Sequence, residues 1–186
     1  MFKTSLAAGA FALLTVFSTT LPTYAAGPNP AAPVIPAPVA ATVPAAISPT
    51  ESASLQYMRE EEKLAHDVYV TLYAKWGLRM FNNISAAEQR HTNAIVTLLN
   101  RYGIDDPAAG NAAGVFTNPD LQALYDKLIA QGSTSSAEAL KVGVLVEQTD
   151  IEDLKTHIAE TTKADILQVY NNLLGGSQNH LRAFSR

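Results

Sequence analysis

The sequence predicts an all-α domain: a bundle of four long helices, with a long connection and a short extra helix between the second and third. Three observations predict it. Apolar residues recur at steps of three and four along most of residues 48–184, the spacing that keeps side chains on one face of a helix. Capping residues and glycines mark where the periodic stretches begin and end. No segment alternates apolar and polar residues as a half-buried strand would.

The N-terminus reads as an address. Lys3 is followed by a short apolar run over 6–17, then by polar Ser18, Thr19 and Thr20, and Thr23-Tyr24-Ala25-Ala26 offers small residues for cleavage. This pattern predicts a secretory signal peptide over 1–25. A single-span anchor is the alternative, but the run is short for one. Residues 26–47 are almost entirely Ala, Pro and Val. Their prolines favour extended, polyproline-like geometry, which predicts a spacer whose removal changes stability little. No later stretch is long and apolar enough to cross a bilayer, so the expected mature protein is exported, soluble and without stable membrane insertion.

The folded domain is expected over 48–186. Ser48-Pro49-Thr50-Glu51 is a capping box with Pro at the first helical position, and helix one should run to about residue 76, where Gly77 ends it. Helix two is predicted over about 85–102, stopped by Gly103. A loop rich in Ala, Gly, Asn and Asp follows. Asn118-Pro119 starts a short helix that Gly132 stops. Ser135-Ser136-Ala137-Glu138 caps helix three, predicted to about residue 160. Helix four spans about 163–184, with Gly175-Gly176 as a weak point in its middle.

Thirteen Lys and Arg against 17 Asp and Glu give a net charge of -4, and no basic run is present, which excludes nucleic acid as an expected partner. The chain has no Cys. Disulfides, thiolate metal sites, Cys nucleophiles and a rubredoxin-type iron centre are therefore excluded. No Gly-rich phosphate loop, Ser nucleophile elbow or zinc-peptidase helix occurs.

The informative residues are polar ones inside apolar stripes, because a buried carboxylate needs a metal, a cation or a proton. In helix two, Ile84, Glu88, His91, Ile95, Leu98 and Tyr102 share a face. Glu88 and His91, three apart, form a Glu-x-x-His pair of the kind that ligates metal in di-iron carboxylate bundles. Ser85-Ala86-Ala87-Glu88 also reads as a capping box, in which Glu88 would only bond back to a helix start. Helix three carries Glu147 between Val144 and Ile151. Helix four carries His180 between Ser177 and Phe184. In helix one two stripes overlap, and either Glu61 or Glu62 faces inward. Asp150 follows Glu147 by three and either shares its metal or lies at the surface. A lone interior Glu or His is ordinarily a satisfied core group; one on each of four helices points to a shared centre. Carboxylates and imidazoles without sulfur suit iron or manganese, with zinc also allowed. Tyr69 and Tyr170 lie on the stripes as core aromatics with a bonded hydroxyl. His66 and His157, beside charged neighbours, are expected to be solvated.

Met58-Arg59-Glu60-Glu61-Glu62-Lys63-Leu64-Ala65, Asp67-Val68-Tyr69, Asp150-Ile151-Glu152-Asp153-Leu154 and Gly176-Ser177-Gln178-Asn179-His180-Leu181-Arg182-Ala183-Phe184 together resemble domain-of-unknown-function family 2202, which is placed in the ferritin-like superfamily. The likeness covers nearly all of 48–184. It implies a ferritin-like bundle with a di-metal site, two ions of iron or alternatively manganese or zinc. Glu62, Ala65 and Tyr69 match the superfamily's first helix, which favours Glu62 over Glu61. Glu88 and His91 match its second, Glu147 its third and His180 its fourth. Ser177 stands where the fourth helix should carry a second Glu, and Asp150 is the candidate replacement. The expected ligand set is Glu62, Glu88, His91, Glu147, Asp150 and His180. The resemblance implies oxygen, peroxide or ferrous-iron redox chemistry, with metal ions and an external electron donor as partners and a homo-oligomer allowed. Metal buffering without turnover and a metal-free interaction domain are the competing expectations.

Overall fold

The computed structural model describes residues 46–186. The signal peptide and all but the last two residues of the spacer lie outside the described residues. Of these two, Ile47 packs against the core.

The described chain is all-helical: α1 Pro49–Trp76, α2 Arg79–Tyr102, α3 Pro119–Gly132, α4 Ser136–Ala159 and α5 Ala164–Phe184, with no strand among the described residues. None of the helices is long and apolar enough to cross a membrane. Local chemistry sets most of the ends. Ser48 Oγ accepts from Glu51 N at 3.2 Å while a Glu51 carboxylate oxygen accepts from Ser48 N at 2.9 Å, so both partners of the capping box are engaged. Gly77 closes α1 in the left-handed region at φ 66°, where any side chain would be strained.

The start of α2 is a correction. The helix begins at Arg79, six residues before the expected start at 85, and Leu78 caps it with no side-chain bond. Ser85 Oγ donates instead to Asn82 O within the helix. Packing begins this helix: Phe81 is fully buried against Tyr69 and Phe184. The apparent capping box at 85–88 is therefore mid-helix, and Glu88 is free for another role. The last helix, α5, is also continuous through Gly175 and Gly176.

α1 packs along α2, and α4 along α5; α1 also meets α3 and α4, and α2 meets α5. Two apolar clusters result. One gathers Leu64, Tyr69 and Leu72 of α1, Phe81 and Ile84 of α2, Val142 and Val146 of α4 and Phe184 of α5. The other gathers Leu55 and Met58 of α1, Ile95 and Leu98 of α2, Leu154 of α4 and Tyr170 and Leu173 of α5. On each of these four helices the stretch between the clusters holds the inward polar residues. They therefore form one layer across the interior, closed above and below by hydrocarbon.

The loop between α2 and α3 is held to α1 by charged residues of the Met58–Tyr69 stretch. Glu60 accepts from Asn118 N at 2.9 Å and from Thr117 N. Arg59 Nε donates to Asp106 at 3.1 Å. Lys63 Nζ donates to Asp67 and, at 2.9 Å, to Ala112 O. Asp67 accepts from Gly114 N at 2.9 Å and bonds His66 Nδ1 at 2.9 Å. His66 is therefore half-buried and paired, not solvated. His157 departs from expectation in the same way, bonding Glu160 at 2.9 Å and packing on Tyr57 and Tyr170.

Burial alone would raise Asp67, but the bonds from His66, Lys63 and Gly114 outweigh it and hold the carboxyl below its usual 3.8. A depressed acid contributes stability above its unfolded pKa and loses it as pH falls toward the folded one. The loop clamp is therefore expected to weaken below about pH 4. Asp67→Ala should lower unfolding free energy by on the order of 3 kcal/mol at neutral pH, since it strands a buried ammonium. Urea titrations at pH 7 and 3.5 check both; a mutant penalty that does not shrink on acidification counts against the clamp.

Candidate metal centre

Glu88 is the middle of the polar layer. It is 2 % exposed and reaches both imidazoles: His91 Nδ1 lies 2.8 Å from Oε2, and His180 Nδ1 lies 2.8 Å from Oε1. A second carboxylate stands on each side, with Glu62 Oε2 3.3 Å from His91 Nδ1 and Glu147 Oε2 3.5 Å from His180 Nδ1. The rings are stacked with centroids 5.6 Å apart. Two donor sets result, Glu62–Glu88–His91 and Glu88–Glu147–His180, the atoms of each lying within 4.8 Å of one another. Glu88 belongs to both.

These distances are those of ion pairs, and the approach angles leave several of the atoms outside hydrogen-bond geometry. Both ring Nδ1 atoms, both Glu62 oxygens, Glu88 Oε1 and Asp150 Oδ1 are buried without a partner in hydrogen-bond geometry. Carboxylate oxygens and imidazole nitrogens that converge at this spacing offer the donor pattern a cation would satisfy.

Other residues hold the set in place. Tyr69, fully buried, donates from its hydroxyl to Glu147 Oε1 at 2.6 Å, while Tyr170 bonds Ser54 at 2.7 Å away from the layer. Gly176 was legible only as a helix weakness. A Cβ there would lie 2.6 Å from His91 Nε2, so the bare backbone is the seat of the imidazole. Its place one turn before His180 was the only sequence signal.

The electrostatics separate the carboxyls. Burial would raise Glu88, but His180 and His91 outweigh it and hold the group at about 2. Glu147 is raised by burial to about 7, against the pull of His180. Asp150 is raised by burial to about 8. Burial and then Asp150 push both Glu61 and Glu62 well above the carboxylate range. Burial would lower His180, but Glu147 and Glu88 raise it to about 9; His91 is raised chiefly by Glu88. Without a cation, the layer must retain protons on several acids.

The structure thus brings together Glu62, Glu88, His91, Glu147 and His180. Asp150 is buried in the same layer, 5 % exposed, beside Ser177, but it belongs to neither donor set. Ser177 is fully buried and donates to Leu173 O at 3.0 Å. The choice between Glu61 and Glu62 was not exclusive. Both are buried; Glu62 faces His91, while Glu61 faces Asp150 and Asp153.

The glycine pair gives a discriminating prediction. Gly175 has nothing near a Cβ, so Gly175→Ala should stabilise by up to about 1 kcal/mol through helix propensity. Gly176→Ala should instead lower thermal stability by about 1–3 kcal/mol, because the ring must move. Thermal melts of the two variants check this, and equal effects would remove the seat.

Residues 51–186 match the family described as an uncharacterized protein domain, DUF2202. The uncharacterized protein MJ0754 of Methanocaldococcus jannaschii is 51 % identical over 136 residues, covering 73 % of this chain and 74 % of that protein. The crystal structure of hypothetical protein MJ0754 from Methanococcus jannaschii DSM 2661 superposes with a TM-score of 0.74 at 50 % identity, over 75 % of this chain and 80 % of that one. A DUF305 fragment from Deinococcus radiodurans shares the fold alone, with a TM-score of 0.54 at 11 % identity over 76 % of this chain and 96 % of that one. Through the match over 51–186 and its likeness to MJ0754, the chain belongs to the DUF2202 family.

Proposed function

We propose that this is an exported, ferritin-like four-helix protein that holds two metal ions, iron or manganese, in the layer around Glu88. The observation that carries the reading is the pair of donor sets sharing Glu88, with their buried lone pairs unpartnered. Glu88 would lie between the ions. Glu62 and His91 would hold one, and Glu147 and His180 the other. The all-oxygen and imidazole donor set, in a chain without Cys, supports iron or manganese.

The remaining residues support the site rather than ligate. Tyr69 orients Glu147 by donating to one of its oxygens, which leaves the other for the ion. Gly176 backs His91 and fixes the depth of its ring. Asp150, beside Ser177 where the superfamily pattern has a carboxylate on the fourth helix, would give up its proton when metal binds and balance the charge of the second ion. The apolar clusters on either side exclude bulk water. When bound, iron or manganese supplies one-electron redox chemistry toward oxygen, peroxide or ferrous iron. With no redox thiol in the chain, the electrons would come from an external donor.

The test is elemental analysis of untagged protein, with His91→Ala beside it. We expect iron or manganese approaching two ions per chain in the parent and a clear loss in the variant. Metal-free parent protein that takes up neither ion, or an unchanged metal content in folded His91→Ala, would sink the proposal. Bound metal without peroxide consumption or ferrous-iron oxidation would leave the capture role and remove the redox one.

A further inference from the structure

Glu61 is a buried carboxyl that the proposed centre does not use. It is 4 % exposed, and neither of its oxygens meets a hydrogen-bond donor. Its neighbours are acids: Asp150 and Asp153 of α4, and Glu62 beside it on α1. On α4, Glu147, Asp150, Asp153, His157 and Glu160 follow one another at steps of three and four, so they run along one side of the helix. The inner end of this file is the Glu88 layer. Its outer end lines an open groove of about 740 Å³, where Asp153, His157 and Glu160 meet Tyr57 of α1. Tyr57 donates to Asp153 Oδ2 at 3.1 Å, and His157 Nδ1 lies 2.9 Å from Glu160 Oε2. Asp153 is half-buried and is the acid that joins the groove to Glu61.

We propose that divalent cations enter the Glu88 layer along this file, from the groove to Asp153, then to Glu61 and Asp150. This route rests on the metal-binding reading of the layer. Apolar clusters close the layer above and below, and a cation without oxygen donors does not cross hydrocarbon. Carboxylates one helical turn apart replace its hydration in steps. An acid-lined cleft also concentrates cations and speeds their capture. Glu61 belongs to neither donor set, so it offers passage rather than a third seat. The purely structural role for Glu61 is a proton shared with Asp153. Glu61→Gln would keep that hydrogen bond, so such a role predicts no effect on uptake.

The test is the rate at which the full chain, stripped by chelator, takes up ferrous or manganous ion without oxygen, with the final metal content read separately. Glu61→Gln and Asp153→Asn should each slow uptake about tenfold or more and finish with the parent's metal content. Glu152→Gln makes the same change of charge on an exposed residue beside Asp153 and should load at the parent's rate. The inference is overturned if either file variant loads as fast as the parent, if Glu152→Gln slows uptake equally, or if Glu61→Gln ends with fewer ions, which would make Glu61 a ligand. A parent that takes up neither ion sinks the metal-binding reading and this route with it; a parent that loads beside equally fast variants sinks the route alone.

Discussion

Glu88→Ala is expected to purify folded but with almost no bound metal, and to melt well below the parent. Glu88 is the one carboxylate common to both donor sets, so its loss weakens both ions at once, whereas loss of His91 touches one set. A ligand present at a thousand times its dissociation constant stabilises the folded state by about 4 kcal/mol, and that linkage disappears with the metal. A second cost arises without metal. Glu88 lies 2.8 Å from each imidazole, and removing the partner of buried charges costs on the order of 3–5 kcal/mol. Comparing parent and variant with and without chelator separates the two: the parent should lose stability on chelation and the variant should not. His66→Ala is the control, since His66 pairs with Asp67 at the loop and should leave metal content intact. A folded Glu88→Ala that retains the parent's metal would end the shared-ligand reading.

Metal-free protein is expected to lose stability steadily as pH rises from about 5 to 9, by several kcal/mol in total. Burial raises Glu147 to about 7 and Asp150 to about 8, and it also raises Glu61 and Glu62 well above the usual carboxylate range. An acid with a raised folded pKa binds more protons folded than unfolded, so its contribution declines as pH climbs through the interval. His180, raised to about 9, and His91, also raised, act in the same direction. A raised imidazole stabilises fully below its unfolded pKa, and that contribution is lost as pH rises through the folded one. Only Glu88, held at about 2, opposes them in this layer, and its contribution disappears only in strong acid. The metal-free optimum should therefore lie at about pH 4 to 5, where Glu88 is ionised and the raised acids still hold their protons. Metal-loaded protein should behave oppositely, because the ions displace those protons and bind more tightly as pH rises. Denaturant titrations of chelated and reloaded protein at pH 5, 6.5 and 8 should show the gap between them widening. A gap independent of pH would mean that no protons are exchanged for metal in this layer.

Much of this molecule is legible in its sequence. Helix ends at Ser48, Gly77, Gly103, Asn118 and Ser135 follow from capping chemistry and left-handed glycines, which depend only on neighbouring residues. The inward direction of Glu88, His91, Glu147 and His180 follows from 3.6-residue periodicity, which is also local, whereas on α1 the spacing leaves Glu61 and Glu62 undecided and only the resemblance favours Glu62. Where local chemistry is silent, the sequence misleads: α2 starts at Arg79 because Phe81 packs between Tyr69 and Phe184, not because a side chain caps it. Periodicity assigns each residue a direction around its own helix and cannot assign its height against another helix. That axial offset is set by two apolar clusters interlocking on either side of the layer. The offset alone decides that Glu88 stands between His91 and His180, that Gly176 backs an imidazole from α2, and that Glu61 and Glu62 are both buried. The sequence by itself determined the helices and most of the candidate ligands; tertiary structure decided which of them meet, because meeting depends on packing between helices far apart in the chain.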